Sequence, residues 1–351
     1  MSLASLQIAG VRSIASATLD FRPGLNLVFG ANGSGKTSIL ESAFLVGRGR
    51  SFRTRHTEQL ITRGQDKLQL FATTADPAHR IGFEYRRDES YTGRLDGEDV
   101  RSLAELPGAF FVEVIDPEVH RLVEGAPGER RRWLDWGVFH VEPDFLESWL
   151  RFSRALKQRN AALRQGLDPT AWDSELVAHG ERVAAARGEW LKTVQPFWQQ
   201  AVSRLSGLDV EMGYYRGWAA DRHLADVLAE GRDRDRARGS TLSGPQRADI
   251  RLTLQGRPAK EVLSRGQQKL AAAALVLALL QRLRSQRTSP PTLLLDDPAA
   301  ELDTQRLSAL VELVKGLECQ LIVTSLHADL VNFGIPERVF HVERGIVASV
   351  G

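Results

Sequence analysis

The stretch Phe29-Gly30-Ala31-Asn32-Gly33-Ser34-Gly35-Lys36-Thr37-Ser38 fits the pattern G-x-x-x-x-G-K-S/T of a phosphate-binding loop. Before it, Leu25-Asn26-Leu27-Val28-Phe29 reads as a buried strand, and after it Ser38-Ile39-Leu40-Glu41-Ser42-Ala43-Phe44-Leu45 reads as the start of a helix. Strand, glycine turn and helix is the order that phosphate chemistry needs. Glycines permit backbone conformations closed to other residues, so successive N–H groups can point at phosphate oxygens, and the helix N-terminus adds its partial positive charge. The pattern predicts a nucleoside triphosphate cradled by Gly30, Ala31, Asn32, Gly33, Ser34, Gly35, Lys36, Thr37 and Ser38. Lys36 is expected to reach the β- and γ-phosphates and the Thr37 hydroxyl to sit on Mg²⁺.

Such a loop needs a metal-binding acid at the end of a neighbouring apolar strand, and Thr292-Leu293-Leu294-Leu295-Asp296-Asp297 supplies one. Asp296 is expected to hold Mg²⁺ and Asp297 to orient or deprotonate an attacking water. The same carboxylates before Pro298 also suit a helix N-cap. A third stretch, Leu263-Ser264-Arg265-Gly266-Gln267-Gln268-Lys269, opens an alanine- and leucine-rich helix with Ser264 as N-cap, which makes its first N–H groups an anion site.

The remaining composition narrows the class. At 351 residues with 42% apolar content the chain holds one large or two ordinary domains with a real core. Its longest nearly unbroken apolar run, Leu270 to Leu280, is too short to span a bilayer, and no signal-peptide pattern opens the chain, so no membrane partner and a cytoplasmic location are expected. The single cysteine, Cys319, is expected to be a buried, inert thiol. Only seven of the 46 basic residues are lysines, leaving 39 arginines. That bias suits phosphate recognition and equally suits an arginine-rich genome, so it permits a nucleic-acid partner without requiring one.

Along the chain, residues 1–116 read as a strand-rich α/β lobe, with strands at Leu3 to Ile8, Ala17 to Phe21, Leu25 to Phe29, Leu68 to Thr73 and His79 to Tyr85. Residues 117–238 switch to helical spacing. Phe145, Trp149, Phe152, Leu156 and Leu163 fall on one face, as do Leu176, Val183, Trp190, Val194, Phe197 and Ala201, predicting two long antiparallel helices joined near Gly166-Leu167-Asp168-Pro169. All seven tryptophans lie in this window, as packing between helices requires. The run Gly231 to Gly239, alternating arginine and aspartate, reads as an exposed charged linker. Residues 239–351 return to α/β character, with a strand at Ile250 to Leu254, a helix from Arg265 to Gln286, a strand at Thr292 to Leu295, a helix at Thr304 to Lys315, and strands at Gln320 to Thr324 and Arg338 to Val342. The predicted architecture is one α/β nucleotide-binding head with an inserted helical arm.

The order phosphate loop, Leu263 to Lys269, Thr292 to Pro298, then Ala300-Glu301-Leu302-Asp303 resembles the ABC-type P-loop ATPase head. That resemblance implies ATP sandwiched between two heads of an ATP-dependent homodimer, with Ser264, Gly266 and Gln267 of one head completing the site of the other. Among such heads, Gly47 to Thr54, Glu129 to His140, Ser153 to Asn160 and Ser243 to Asp249 are similar to the RecF family of bacterial DNA replication and repair proteins. The resemblance implies a fold like the heads of the structural maintenance of chromosomes family, with a short arm of about forty residues per leg. It further implies slow ATP hydrolysis, binding to gapped DNA at junctions of single and double strand, and help to RecA loading together with RecR and RecO. Two positions depart from the family. Gln246 stands where Gly-Pro-His-Arg is usual, and after the strand Gln320 to Thr324 either Ser325 or His327 fills the place of a γ-phosphate sensor. Two arginine groups, Arg48, Arg50, Arg53 and Arg55, and Arg130, Arg131 and Arg132, either bind DNA phosphates or are salt-bridged within the fold. The other classes open to such a chain are a nucleotide-dependent protein scaffold with little turnover and a transport ATPase subunit.

Overall fold

The computed structural model describes residues 2–87, 91–100, 103–285, 290–328 and 333–350. Its strands, in chain order, are β1 (Ser2–Val11), β2 (Ile14–Asp20), β3 (Leu25–Phe29), β4 (Lys67–Ala75), β5 (Arg80–Arg86), β6 (Thr92–Leu95), β7 (Glu98–Asp99), β8 (Val112–Ile115), β9 (Glu211–Tyr215), β10 (Asp249–Leu254), β11 (Arg257–Pro258), β12 (Thr292–Leu295), β13 (Gln320–Ser325), β14 (Arg338–Glu343) and β15 (Ile346–Ser349). They fall into two compact units, one of residues 1–119 with 284–351 and one of residues 120–283.

The first unit is built on two six-stranded sheets. One, in the order β15-β14-β3-β13-β12-β8, is parallel except for the edge strand β15. Two of its inner strands are near-continuous apolar runs, Leu-Asn-Leu-Val-Phe and Thr-Leu-Leu-Leu, as suits strands covered on both faces. The other, β2-β1-β4-β5-β6-β7, is antiparallel, and β4 alternates buried and accessible residues as a half-covered sheet does. Leu6, Leu70 and Phe83 of that sheet, Ile39, Leu40 and Ala43 of the helix Lys36–Arg48, and Val28, Leu294 and Ile322 of the parallel sheet share one core. Two buried amides tie the layers. The Asn26 side chain donates to the carbonyls of Arg22, Gly24 and Leu321, while Gln320 accepts from the Leu3 amide and donates to the carbonyls of Leu3 and Arg22.

Strand β8 was not expected from the sequence, because Glu113 interrupts its apolar run. The structure supplies the reason for its burial: Arg48 Nη1 donates to Glu113 Oε1 at 2.7 Å, with both side chains nearly inaccessible. Burial pulls the Arg48 guanidinium down to about 9, against the opposing pull of Glu113. For Arg48, therefore, the in-fold ion pair is the alternative realised. Cys319 is half-buried beside β13, and desolvation pushes its thiol up to about 12, which keeps it protonated and unreactive at neutral pH.

The second unit holds the helical hairpin, Phe145–Arg164 and Asp173–Ser206. Its legs are 20 and 34 residues long, shorter than the expected forty. The sheet β11-β10-β9 also belongs here, so residues 239–283, expected in the second ATPase lobe, pack with the arm instead. Two contacts explain this: β10 pairs with β9, and the Trp198 indole on the hairpin donates to the Ala271 carbonyl of the helix Arg265–Arg284. The expected end of that helix at Gln286 lies outside the described residues.

The run 231–239 is a correction: Arg232–Arg238 is a helix, and Asp235 within it is buried. Alternating charge disguised this because the counter-charge comes from far away. Arg159, wholly buried, donates to Asp235 at 2.7 Å, to Asp173 at 2.7 Å and to the Thr241 hydroxyl at 2.8 Å. The second arginine group is likewise held inside the unit. Arg130 grips Asp249 in a bidentate pair at 2.7 and 3.1 Å, Arg131 donates to the Ala248 carbonyl, and Arg132 pairs with Glu129. Gln246 donates to the carbonyls of Ser243 and Thr241, so its amide staples its own loop.

At Gly137 the helix Pro127–Phe139 packs directly on the hairpin: a Cβ there would clash with the Trp190 ring. Gly137→Ala is expected to destabilise the protein by about 1–3 kcal/mol through overpacking, read as a lowered urea midpoint with an unchanged slope.

Candidate nucleotide-binding site

The parallel order β3-β13-β12 sets the carboxyl ends of β3 and β12 on either side of β13, and the two acidic and basic segments leave the sheet there. Open α/β sheets bind ligands at this end of their strands. A cavity of about 500 Å³ occupies the place. Asn32, Gly33, Gly35, Lys36, Thr37 and Ser38 form one wall, and Asp296 and Asp297 lie opposite.

The loop is bent by its glycines. Gly35 has φ 119° as N-cap of the helix Lys36–Arg48, and a Cβ on Gly30, at φ 154°, would lie 2.2 Å from the Val342 carbonyl. Lys36 is folded back over the loop, its ammonium donating to the carbonyls of Gly30 at 2.6 Å and Ala31 at 3.0 Å. Burial lowers its pKa, and the nearby carboxylates of Asp297 and Asp296 oppose that shift. The Ser34 hydroxyl is buried with no hydrogen-bond partner among the described residues, a polar group left over in a loop of amides. The Ser34 carbonyl accepts from the Gly345 amide at 2.8 Å, which ties the loop to the turn between β14 and β15.

Across the cavity the Thr37 hydroxyl reaches both oxygens of Asp296, at 3.1 and 3.0 Å. Asp296 accepts a further bond from the Thr324 hydroxyl at 2.8 Å, and the Asp297 amide donates to that same Thr324 oxygen at 2.8 Å. The end of β13 therefore fixes the Asp296 carboxylate and the Asp297 backbone. Asp297 sits at φ 48°, in the left-handed region that aspartate enters more readily than most residues, and heads the short helix Pro298–Glu301 without a side-chain capping bond.

Ser264 caps the helix Arg265–Arg284 as expected: its hydroxyl accepts from the Gln267 amide at 3.3 Å and Gln267 Oε1 accepts from the Ser264 amide at 2.9 Å, a reciprocal capping box. Ser264, Gly266 and Gln267 belong to the second unit and do not line the cavity. Ser325 is buried at the end of β13, His327 is exposed, and neither lines the cavity. Arg12, Ser13 and Pro117 line it without any signal in the sequence, and so does Arg53, whose charge alone leaves DNA contact and internal pairing equally open. No motif marks these positions, because the turn between β1 and β2 and the loop after the first helix reach the cavity only through the fold. Among the described residues no cluster of three or more histidine, cysteine, aspartate or glutamate side chains is placed to hold a metal, and no helix is long and apolar enough to cross a membrane.

The chain matches known proteins over nearly its whole length. The family described as the RecF/RecN/SMC N terminal domain matches residues 2–346. A protein of Pseudomonas putida strain GB-1, described as DNA replication and repair protein RecF, is 41% identical over 99% of this chain and 98% of its own. A protein of Pseudomonas aeruginosa strain LESB58 with the same description is 40% identical over the same shares. Among solved structures, the recombination mediator protein RecF-ATP of the RecFOR pathway superposes with a TM-score of 0.89 at 23% identity, covering 100% of this chain and 98% of that one. An Smc head domain from Pyrococcus furiosus with an extended coiled coil gives 0.59 at 16% identity, covering 99% and 96%. The fold is thus the α/β ATPase head shared by those proteins, carrying a helical insertion.

Proposed function

This chain belongs to the RecF/RecN/SMC N terminal domain family, and from that premise we propose that it binds and slowly hydrolyses ATP in DNA replication and repair, closing as a dimer on gapped DNA in the cytoplasm. The bond from Thr37 to Asp296 carries this reading, because it joins the phosphate loop to the acid of β12 across the cavity. The donors suit a magnesium ion, being hydroxyl and carboxylate oxygens few enough to leave room for phosphate and water oxygens. Thr37 and Asp296 would hold it, and when bound it supplies charge neutralisation at the phosphates.

Lys36, already anchored on the Gly30 and Ala31 carbonyls, would serve the β- and γ-phosphate oxygens, and the Ser34 hydroxyl offers a further donor. Asp297 would orient the attacking water. Ser264, Gly266 and Gln267 of the partner subunit would complete the site, which makes dimerisation depend on ATP. The solved structures named for the RecFOR pathway support assembly with RecR and RecO, and a role ahead of RecA loading is part of the same proposal.

A labelled gapped duplex titrated with the protein, followed by fluorescence anisotropy with ATP and Mg²⁺ or with ADP, tests this. Binding is expected to need ATP, to weaken as salt rises, and to be lost in Lys36→Met. No DNA affinity under any nucleotide would favour a protein scaffold instead.

A further inference from the structure

Glu41 lies one helical turn beyond Thr37 on the helix Lys36–Arg48, and it is fully buried. Its neighbours in sequence, Ile39, Leu40 and Ala43, are core residues, so a carboxylate here is costly unless it is well paired. Arg12 grips it in a bidentate pair, Nε to Oε2 at 2.6 Å and Nη2 to Oε1 at 3.0 Å. The Ser51 hydroxyl also donates to Oε1, and the same hydroxyl oxygen accepts from the amides of Arg53 at 2.9 Å and Thr54 at 3.1 Å. The Arg53 guanidinium lies 3.9 Å from Oε2. One buried carboxylate thus holds one arginine by its side chain and a second by both its loop and its charge.

Both arginines line the phosphate-loop cavity. Their side chains are 24% and 45% exposed, while that of Glu41 is 0% exposed and does not line the cavity. The bidentate grip fixes the plane of the Arg12 guanidinium and, among the described residues, leaves Nη1 only a 3.5 Å contact to the Gln59 carbonyl. Guanidinium groups held in advance lose little freedom when they meet an anion.

We propose that Glu41 is a positioning residue for the triphosphate: it holds Arg12 and Arg53 at the cavity wall so that their remaining N–H groups meet phosphate oxygens. This rests on the reading of the cavity as the nucleotide site. It assigns to the Gly47 to Thr54 stretch a part in nucleotide binding. Glu41 itself touches no ligand and acts through its two partners.

Binding of mant-ATP with Mg²⁺ tests the proposal in wild type, Lys36→Met, Glu41→Gln, Arg12→Ala, Arg53→Ala and the Glu41→Gln/Arg12→Ala double variant, with a thermal melt of each. Glu41→Gln is expected to weaken binding by about tenfold, the value of one lost charge-assisted contact. Adding Arg12→Ala to it is expected to cost less than about twofold more, because the two act as one unit. A purely structural Glu41 would lower the melting temperature and leave the affinity of the folded protein unchanged, which overturns the proposal. Should Glu41→Gln not fold, the partly exposed Arg12 and Arg53 decide: weaker binding with unchanged melting in both supports the proposal, and unchanged binding in both overturns it. If wild type does not bind mant-ATP, or Lys36→Met binds as well, the nucleotide-site reading falls and the role of Glu41 falls with it. Binding lost in Lys36→Met but equal to wild type in the Glu41, Arg12 and Arg53 variants overturns the role of Glu41 alone.

Discussion

Asp297→Asn is expected to bind ATP as the wild type does, to hydrolyse it about 10²–10⁴-fold more slowly, and to accumulate as an ATP-bound dimer. The substitution keeps the size and the backbone amide that donates to Thr324, so the geometry of the β12 end should survive. Only the ability to orient water as an anion, or to take its proton, is removed. Asparagine is also as good an N-cap as aspartate, and asparagine tolerates the left-handed backbone at φ 48°. If Asp297 merely headed the helix Pro298–Glu301, the variant would therefore be silent. Single-turnover phosphate release, paired with sedimentation velocity in ATP and in ADP, separates the cases. Slow release with a persistent dimer supports hydrolysis as the reset, whereas wild-type release shows that Asp297 is not the water-orienting group. Slow release without a dimer would detach hydrolysis from dimerisation and weaken the clamp reading.

What the sequence disclosed about this site and what it hid divide along a physical line. That Asn32 to Ser38 and Asp296 would meet at one cavity was legible because the phosphate-loop pattern places its residue types at fixed short spacing. Ser264 was legible as a cap for the same local reason, and its capping box is realised. Strand β8 was not, since Glu113 is acceptable in a buried strand only because Arg48, 65 positions away, neutralises it. Arg12 and Arg53 were hidden in the same way: their shared partner Glu41 reads as an ordinary helix residue until the turn after β1 and the loop after the helix are brought to it. The boundaries at 116 and 238 followed changes of composition, whereas the units divide after 119 and 283, where backbone pairing and packing change partners. Of the two arginine groups, for which charge alone leaves DNA contact and internal pairing open, Arg48, Arg130 and Arg132 are engaged within the fold.

The same reasoning makes Arg159 the arm residue with the largest expected effect on stability. Its guanidinium is wholly inaccessible and serves Asp173, Asp235 and Thr241, while Asp235, itself buried, also accepts from the Leu242 amide. The Asn160 side chain completes the cluster by accepting from the Thr241 amide and hydroxyl. These bonds join the hairpin leg Phe145–Arg164 to the helix Arg232–Arg238 and the turn after it. Arg159→Met keeps the length of the stem but strands the Asp235 carboxylate without a counter-charge, an expected loss of about 3–5 kcal/mol. That is comparable with the whole stability of many domains, so the arm would unfold at low urea or near ambient temperature. The partner in the test is Arg159→Met/Asp235→Leu. With both buried charges gone, and Asp173 still partly reached by water, the double variant should recover at least half of the loss, because an apolar replacement of a whole buried pair is far milder than the removal of one member. Urea melts of the two variants and the wild type supply the comparison. A double variant no more stable than Arg159→Met would show that the arginine contributes through packing of its stem and not through the charge it neutralises.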